Sequence, residues 1–299
     1  MGEKSAVVCD ITGQVIKYGL AEDYTPIYKF PAILGRPKNS KSIGEKIKDL
    51  EIKEILFGND ALQLQSELNI SYPIKDGIIE NWEDMTLLLE YIFKCDNIKM
   101  DPKNTKIFLT QTTMNTAKNR EKISEIMFKH FGFHSVFIGK HAAAFLIGQG
   151  ITAGVVIDFH ENFTDISPVH MMVLKDLVKR VPASDNNKNI SELIFNTIQS
   201  ADVEVRLDLF KRIALIGDTN IQPSTIENDV KHLYLKNVLL NDSEKLKRFK
   251  VRVDKYASDN EKVYVGGALL AKVNIERDAF WITKKEFESI GLKVLDKCI

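Results

Sequence analysis

Cysteine is scarce in this 299-residue chain. Cys9, Cys95 and Cys298 are odd in number and far apart, which excludes a disulfide framework and points to reduced thiols in a cytosolic or nuclear compartment. An excess of one charge is missing too. Lys+Arg and Asp+Glu both number 41, so the formal net charge is zero. A global basic field for nucleic acid or acidic membrane is therefore absent, and no nucleic-acid contact is expected. No apolar run reaches the roughly 18 residues that a membrane span needs. The nearest candidate, Ala142 to Ile157, is broken by Gly148, Gln149 and Gly150 and reads as a helix followed by a strand. No membrane insertion is expected, and Met1-Gly2-Glu3-Lys4-Ser5 opens no secretory signal. What remains is ordinary for a soluble globular protein, 44% apolar and 27% charged, with length enough for two core-bearing domains.

The stretch from Ser191 to Glu227 organises the rest. Leu193, Ile194 and Ile198 make one apolar helical stripe, and Val203, Leu207 and Phe210 a second, with Asp202 between them as a candidate N-cap. Arg212 to Ile216 is short, apolar and β-branched, as a strand buried on both faces should be. Gly217-Asp218-Thr219-Asn220 breaks it, and Pro223 to Glu227 opens a helix with Ser224 and Glu227 spaced as a capping box. Strand, glycine turn and capped helix is the local shape of a nucleotide-contacting loop, although most such units bind nothing.

Two further segments echo one another. Ala6 to Asp10 is a buried strand ending in a carboxylate, Ile11-Thr12-Gly13 turns, and Gln14 to Leu20 returns. Gly154 to Asp158 does the same, with Thr164 to Val169 returning. Two such carboxylates can hold a hydrated Mg²⁺ on a polyphosphate. Strands also often end in Asp, and spacing alone does not separate the two readings.

The other elements follow from pattern. Asn81 caps a helix whose face runs through Trp82, Met85, Leu88, Leu89, Ile92 and Phe93, with Trp82 read as core. Lys106 to Thr110 is a buried strand. Asn115 or Thr116 caps a helix running to Phe131, with Gly132 as its stop. Ser135 to Ile138 is a strand, His141 to Ile147 a helix, and Met171 to Arg180 a short helix or strand. Pro182 to Asn189 reads as a polar linker, Lys245 to Val253 as an edge strand with a solvated basic face, and Val263 to Ala271 as a strand, a glycine pair and a helix start. Thr283 and Glu286 form a capping box on the last helix.

Together, certain motifs resemble actin and the actin-related proteins over nearly the whole chain. They are Phe30-Pro31-Ala32 with Gly35-Arg36-Pro37, Asp76-Gly77-Ile78 with Asn81-Trp82-Glu83-Asp84-Met85, and Leu109-Thr110 with Met114-Asn115 and Asn119 to Lys122. Leu193 to Asp202, Gly266-Gly267-Ala268 and Phe280-Trp281 complete the set. Within the family, the stretches Phe195 to Asp202, Leu233-Tyr234-Leu235 and Phe280 to Thr283 look most like the actin-related protein 2 subfamily. The resemblance implies an α/β, actin-like (ribonuclease H-like/Hsp70-type ATPase) fold of two related halves around a cleft that holds ATP with Mg²⁺. The halves would be 1–140 plus 271–299, with 38–55 a small excursion, and 141–270, shortened at 170–190. The family's outer subdomain of the second half is then largely missing.

The same resemblance assigns the site. The cofactor-binding positions are Asp10, Thr12, Gly13, Lys17, Asp158, Thr164, Gly217, Asp218 and Thr219, with Asp10 and Asp158 on the metal through water. His141 and Asp165 stand where the family orients its attacking water. Only Gly13 remains of the first hairpin's glycines, and His160, Glu161 and Asn162 replace those of the second, so Cβ atoms obstruct backbone approach to phosphate. Each lost phosphate contact costs ~1–3 kcal/mol. ATP binding is therefore expected to be weak or lost, and hydrolysis degenerate. The resemblance implies a structural subunit of an actin-related protein 2/3-type complex that supports nucleation and branching of actin filaments. Its partners would be actin and the other subunits, in the cytoplasm and cytoskeleton. A nucleotide-switched ATPase and a nuclear or chromosome-associated scaffold are the alternatives.

Overall fold

A computed structural model describes residues 5–38, 55–94, 98, 100–257 and 261–297. Most of the expected excursion at 38–55, and Cys95 and Cys298, lie outside the described residues. The chain divides into two compact units, Met1–Gly139 with Gly267–Cys298, and Lys140–Gly266 with Ile299.

The first unit is built on a six-stranded sheet, in the order Ile282–Thr283, Ser135–Lys140, Thr105–Gln111, Ser5–Asp10, Val15–Leu20, Tyr28–Pro31. The strand Ser5–Asp10 is antiparallel to its hairpin partner and parallel to Thr105–Gln111. Val7, Val8, Cys9, Ile107, Phe108 and Leu109 are fully buried, as runs without polar alternation require. Lys106 is buried within this sheet. Its ammonium donates to the Ile275 carbonyl at 2.8 Å and lies 3.5 Å from Asp278, fastening the C-terminal return to the sheet.

The second unit repeats this arrangement around its own sheet, in the order Met172–Val173, Phe163–His170, Ala153–Phe159, Ile213–Gly217, Val253–Tyr256, with Lys179–Pro182 also on Phe163–His170. Ala153–Phe159 is antiparallel to Phe163–His170 and parallel to Ile213–Gly217. Alternate residues serve opposite layers. Val155, Ile157 and Leu215 pack with Ile194, Ile198, Phe210 and Ile226, whereas Val156, Ala214 and Ile216 pack with Ala142, Phe145 and Leu146. In the second layer two helices, His141–Ile147 and Lys262–Val273, approach through glycine. A Cβ on Gly266 would sit 1.8 Å from the Ala144 carbonyl oxygen, and one on Gly148 would sit 2.0 Å from that of Lys262.

Several expectations are corrected by these contacts. Val263 to Ala271 is not strand and helix start but one helix, because Gly266 admits the helix His141–Ile147, Gly267 admits Phe108 and Val8, and tertiary contact overrides propensity. In the helix Val203–Phe210 the 3.6 period is real but the buried face is rotated. Leu209 and Phe210 are inside, while Val203 and Leu207 are 73% and 53% exposed. Asp202 holds the N-cap position without a side-chain bond. The Ser224–Glu227 capping box does not form. Pro223 takes the first helical position, Gln222 becomes the N-cap, and the Glu227 carboxylate accepts from the Val253 N–H at 2.9 Å. Lys245 to Val253 is not a strand, because Asp242 caps a short helix, Ser243–Leu246, and pairing begins only at Val253–Tyr256. The polar stretch Pro182 to Asn189 is largely a 3-10 turn, Ala183–Asp185, and the start of the helix Asn186–Gln199. Trp82 is half-buried, not core, since the face of its helix runs through Met85, Leu88, Leu89 and Ile92. The Asn81, Thr116 and Thr283 caps form as read, the last as a full capping box.

Two of the resemblance motifs meet in a polar knot. The buried Asp84 carboxylate takes both Arg36 nitrogens, at 2.5 and 3.3 Å, the Asn81 amide at 2.8 Å and the Ser71 hydroxyl. Hydrogen bonding from Arg36 holds this carboxyl below the usual carboxylate range, against burial, with Ser71, the Arg36 charge and Asn81 adding to it. A depressed folded value means the stabilisation is present above the unfolded pKa and is lost as pH falls through the folded one. Because Arg36 is partly solvated, Asp84→Ala should cost about 2–3 kcal/mol at neutral pH. That cost should shrink in acid, measured as urea midpoints of wild type and variant across pH.

Candidate functional site

In the first unit the hairpin register sets Asp10 opposite Lys17. The Asp10 carboxylate is 1% exposed. Its Oδ1 accepts from the Thr12 hydroxyl and the Thr110 hydroxyl, each at 2.6 Å, and from the Thr12 N–H at 3.3 Å. Its Oδ2 lies 3.5 Å from the Lys17 ammonium. Thr110 also accepts from the Ile11 N–H at 3.3 Å, so it braces both strand end and carboxylate. Sequence reading missed Thr110, although its place at the end of the parallel neighbour strand was the available signal. Gly13 is exposed, and a Cβ there would meet only the Val15 nitrogen at 3.8 Å.

In the second unit the register sets Asp158 opposite Asp165 and Asp165 opposite Arg180. Two acids on facing strands repel unless each finds a cation, and each does. Arg180 donates from Nε and Nη2 to the two Asp165 oxygens, both at 2.7 Å, and its guanidinium lies 3.7 Å from the Phe163 ring centre. Asp158 Oδ2 has His141 Nδ1 at 3.4 Å and His160 Nε2 at 3.3 Å. The His160 ring stacks on Phe163 at 4.3 Å. His160 Nε2 is buried beside Asp158 Oδ2, where a protonated imidazole pairs with the carboxylate. Arg180 and Phe163 were not foreseen. Cross-strand register, not spacing along the chain, brings Arg180 to Asp165 and over Phe163.

The remaining residues lie nearby in the same unit. Thr164 is fully buried, and its hydroxyl has no hydrogen-bond partner among the described residues. Gly217 has φ +97°, and a Cβ there would fall 2.3 Å from the Phe159 carbonyl oxygen, so strand packing alone demands glycine. Asp218 is exposed. Thr219 accepts from the Ile221 N–H at 3.2 Å through its hydroxyl and from the Lys255 ammonium through its carbonyl.

A magnesium triphosphate would need backbone N–H groups open at the turn and an Asp158 carboxylate open to a hydrated cation. The first hairpin keeps suitable residue types. The second does not fit. The His160 N–H is used in closing the turn onto the Phe163 carbonyl at 2.9 Å, the turn carries side chains, and two imidazoles occupy Asp158. Nor is either substituted water-orienting position free, since His141 faces Asp158 and Asp165 holds Arg180. No cluster of three or more His, Cys, Asp or Glu able to hold a metal occurs among the described residues.

Burial pushes the Asp158 carboxyl up, but the His141 charge and the His160 contact outweigh it and hold it below the usual range. Burial pulls the His160 imidazole down, but its contact with Asp158, the Asp158 charge and that of Asp165 raise it above its ordinary value. The His160 contribution is full below the unfolded histidine pKa and is lost as pH rises through the folded one. The Asp158 contribution is lost as pH falls through its depressed value. The His160 ring protons should therefore titrate above the ordinary histidine range by NMR, and Asp158→Asn should bring the midpoint down. A midpoint unmoved by that substitution would refute the pairing.

Comparison with known proteins bears on this geometry. The family profile described as Actin matches residues 1–186 and 171–299, two overlapping segments that together cover the chain. The chain is 32% identical to Actin-related protein 2 of Drosophila melanogaster, covering 98% of this chain and 97% of that protein. It is 28% identical to Actin-related protein 2 of Schizosaccharomyces pombe (99% and 98% covered) and 29% identical to Actin-related protein 2 of Saccharomyces cerevisiae (99% of each). The aligned spans, 386 to 393 positions, exceed the 299 residues present here, so those relatives carry material that this chain lacks. With the fold class read from the motifs in place and the family profile matched from end to end, the chain belongs to the actin family, in a shortened form.

Proposed function

We propose that the chain is an actin-related protein 2-like structural subunit of an actin-related protein 2/3-type complex, supporting nucleation and branching of actin filaments in the cytoplasm and cytoskeleton. One observation carries this reading, the similarity to proteins named Actin-related protein 2 over nearly the full length of both chains. The two compact units are read as the family's two halves, and the partners as actin and the companion subunits of such a complex. Among the described residues no helix is long and apolar enough to cross a membrane. The endogenous protein, tagged and purified from native lysate, should co-elute with several stoichiometric companion subunits and with actin. Elution alone would overturn the assignment.

ATP binding is weak or lost in this reading, supported by the occupied second hairpin. The positions His141 and Asp165 do no water-orienting work, and Asp158 does not serve a hydrated Mg²⁺. The alternative, a nucleotide-switched ATPase, draws on the retained Asp10, Thr12 and Lys17 of the first hairpin. The loss of several phosphate contacts at about 1.4 kcal/mol per factor of ten removes micromolar affinity. Equilibrium dialysis with ATP and Mg²⁺ should show no retention in the micromolar range. Saturable one-to-one binding there would favour the ATPase.

A further inference from the structure

The second unit carries a basic cavity that neither hairpin uses. It has a volume of about 520 Å³ and is lined by Lys211, Arg212, Lys231, Lys250 and Arg252, over Phe249 and Val251. That volume is in the range of small-ligand sites. The cations come from three places: the start of the strand Ile213–Gly217, the helix Pro223–Asn237, and the extended segment before Val253. Along that last segment Phe249 and Val251 turn toward the core while Lys250 and Arg252 are exposed.

The frame is fixed before any ligand arrives. Phe249 stacks on Tyr234 at 3.8 Å and meets the Phe210 edge at 5.2 Å. Glu227 accepts from the Val253 N–H and ties the segment to the helix. The charges, however, are not balanced. Lys211 pairs with Asp208 at 2.7 Å. Two guanidinium groups share the single carboxylate of Asp254, Arg252 at 2.8 Å and Arg212 at 3.9 Å. Lys231 and Lys250 have no ion pair among the described residues. Five cations thus meet three carboxylates, Asp208, Asp254 and Glu227, in a chain whose net charge is zero, so the excess is local.

We propose that this cavity binds a compact ligand carrying two or more phosphate groups. Mixed guanidinium and ammonium groups on a concave surface suit phosphate, which takes bidentate Arg and point-charge Lys together. A phosphate also concentrates up to two charges on one centre, whereas a chain of carboxylates spreads single charges along its length and brings fewer of them within reach of one group of cations. The source is either a soluble polyphosphate or the headgroup of a lipid. The inference stands apart from the filament role and from the nucleotide hairpins.

The test is calorimetric titration of the full-length chain, alone or within its native assembly, with inositol hexakisphosphate, alongside sedimentation with phosphatidylcholine vesicles containing phosphatidylinositol bisphosphate. Single-site binding of the soluble probe is expected, weakening about tenfold or more as salt rises, because partly exposed charges are screened. The double variant Lys231→Glu, Lys250→Glu should lower affinity at least about tenfold with its thermal transition unchanged. Should that variant melt early, Lys231→Ala with Lys250→Ala should still give a smaller loss. Vesicle sedimentation abolished by the same variant assigns a lipid headgroup, and soluble binding without sedimentation assigns a free polyphosphate. No saturation at about 1 mM probe, or equal binding by wild type and variants, overturns the proposal. So does tighter binding of an oligoglutamate peptide of matched charge.

Discussion

A carboxylate at the end of a buried strand must be neutralised where it stands, and this constraint governs both units. An isolated charge out of water is strongly unfavourable unless it is paired and hydrogen-bonded. The first unit meets the requirement with hydroxyls and one lysine across the hairpin, Thr12, Thr110 and Lys17 around Asp10. The second meets it with two imidazoles on Asp158 and a bidentate guanidinium on Asp165. Both solutions come from within the same unit, so each hairpin is electrostatically complete without an outside ligand. The topology is shared while the chemistry of the two turns has diverged.

Much of the fold was legible in the sequence because it rests on local patterns. Val7, Val8 and Cys9, and later Val155, Val156 and Ile157, are apolar without alternation, and strands buried on both faces read in no other way. The caps at Asn81 and Thr283 are local hydrogen bonds that need no tertiary knowledge. The failures have a common cause in distant partners. Gly266 and Gly267 look like a break until the helix His141–Ile147 is laid against the first and the Phe108 and Val8 side chains against the second. Glu227 looks like a capping residue until the Val253 N–H claims it. The stripe Val203, Leu207, Phe210 has the right period, but only the neighbouring sheet decides which face turns inward.

The candidate site was legible as a set of positions and not as a network. Asp10 and Asp158 stand out by their place at the ends of paired strands, and Lys17 and Thr164 through the family resemblance. What surrounds them does not, because Arg180 and Phe163 act through cross-strand register, which spacing along the chain does not reveal. Gly217 illustrates the opposite error. In sequence it suggests a phosphate loop, yet its positive φ and its contact with the Phe159 carbonyl explain it by backbone packing alone.

Arg180 has a further consequence through its address. It lies on Lys179–Pro182, a short strand on the outer side of the second hairpin, and it is this strand that hands a guanidinium to Asp165. Sheet pairing and charge compensation are thus coupled in one element. Losing this strand's register would take the guanidinium from Asp165, which is 3% exposed, and leave a charged acid in the interior.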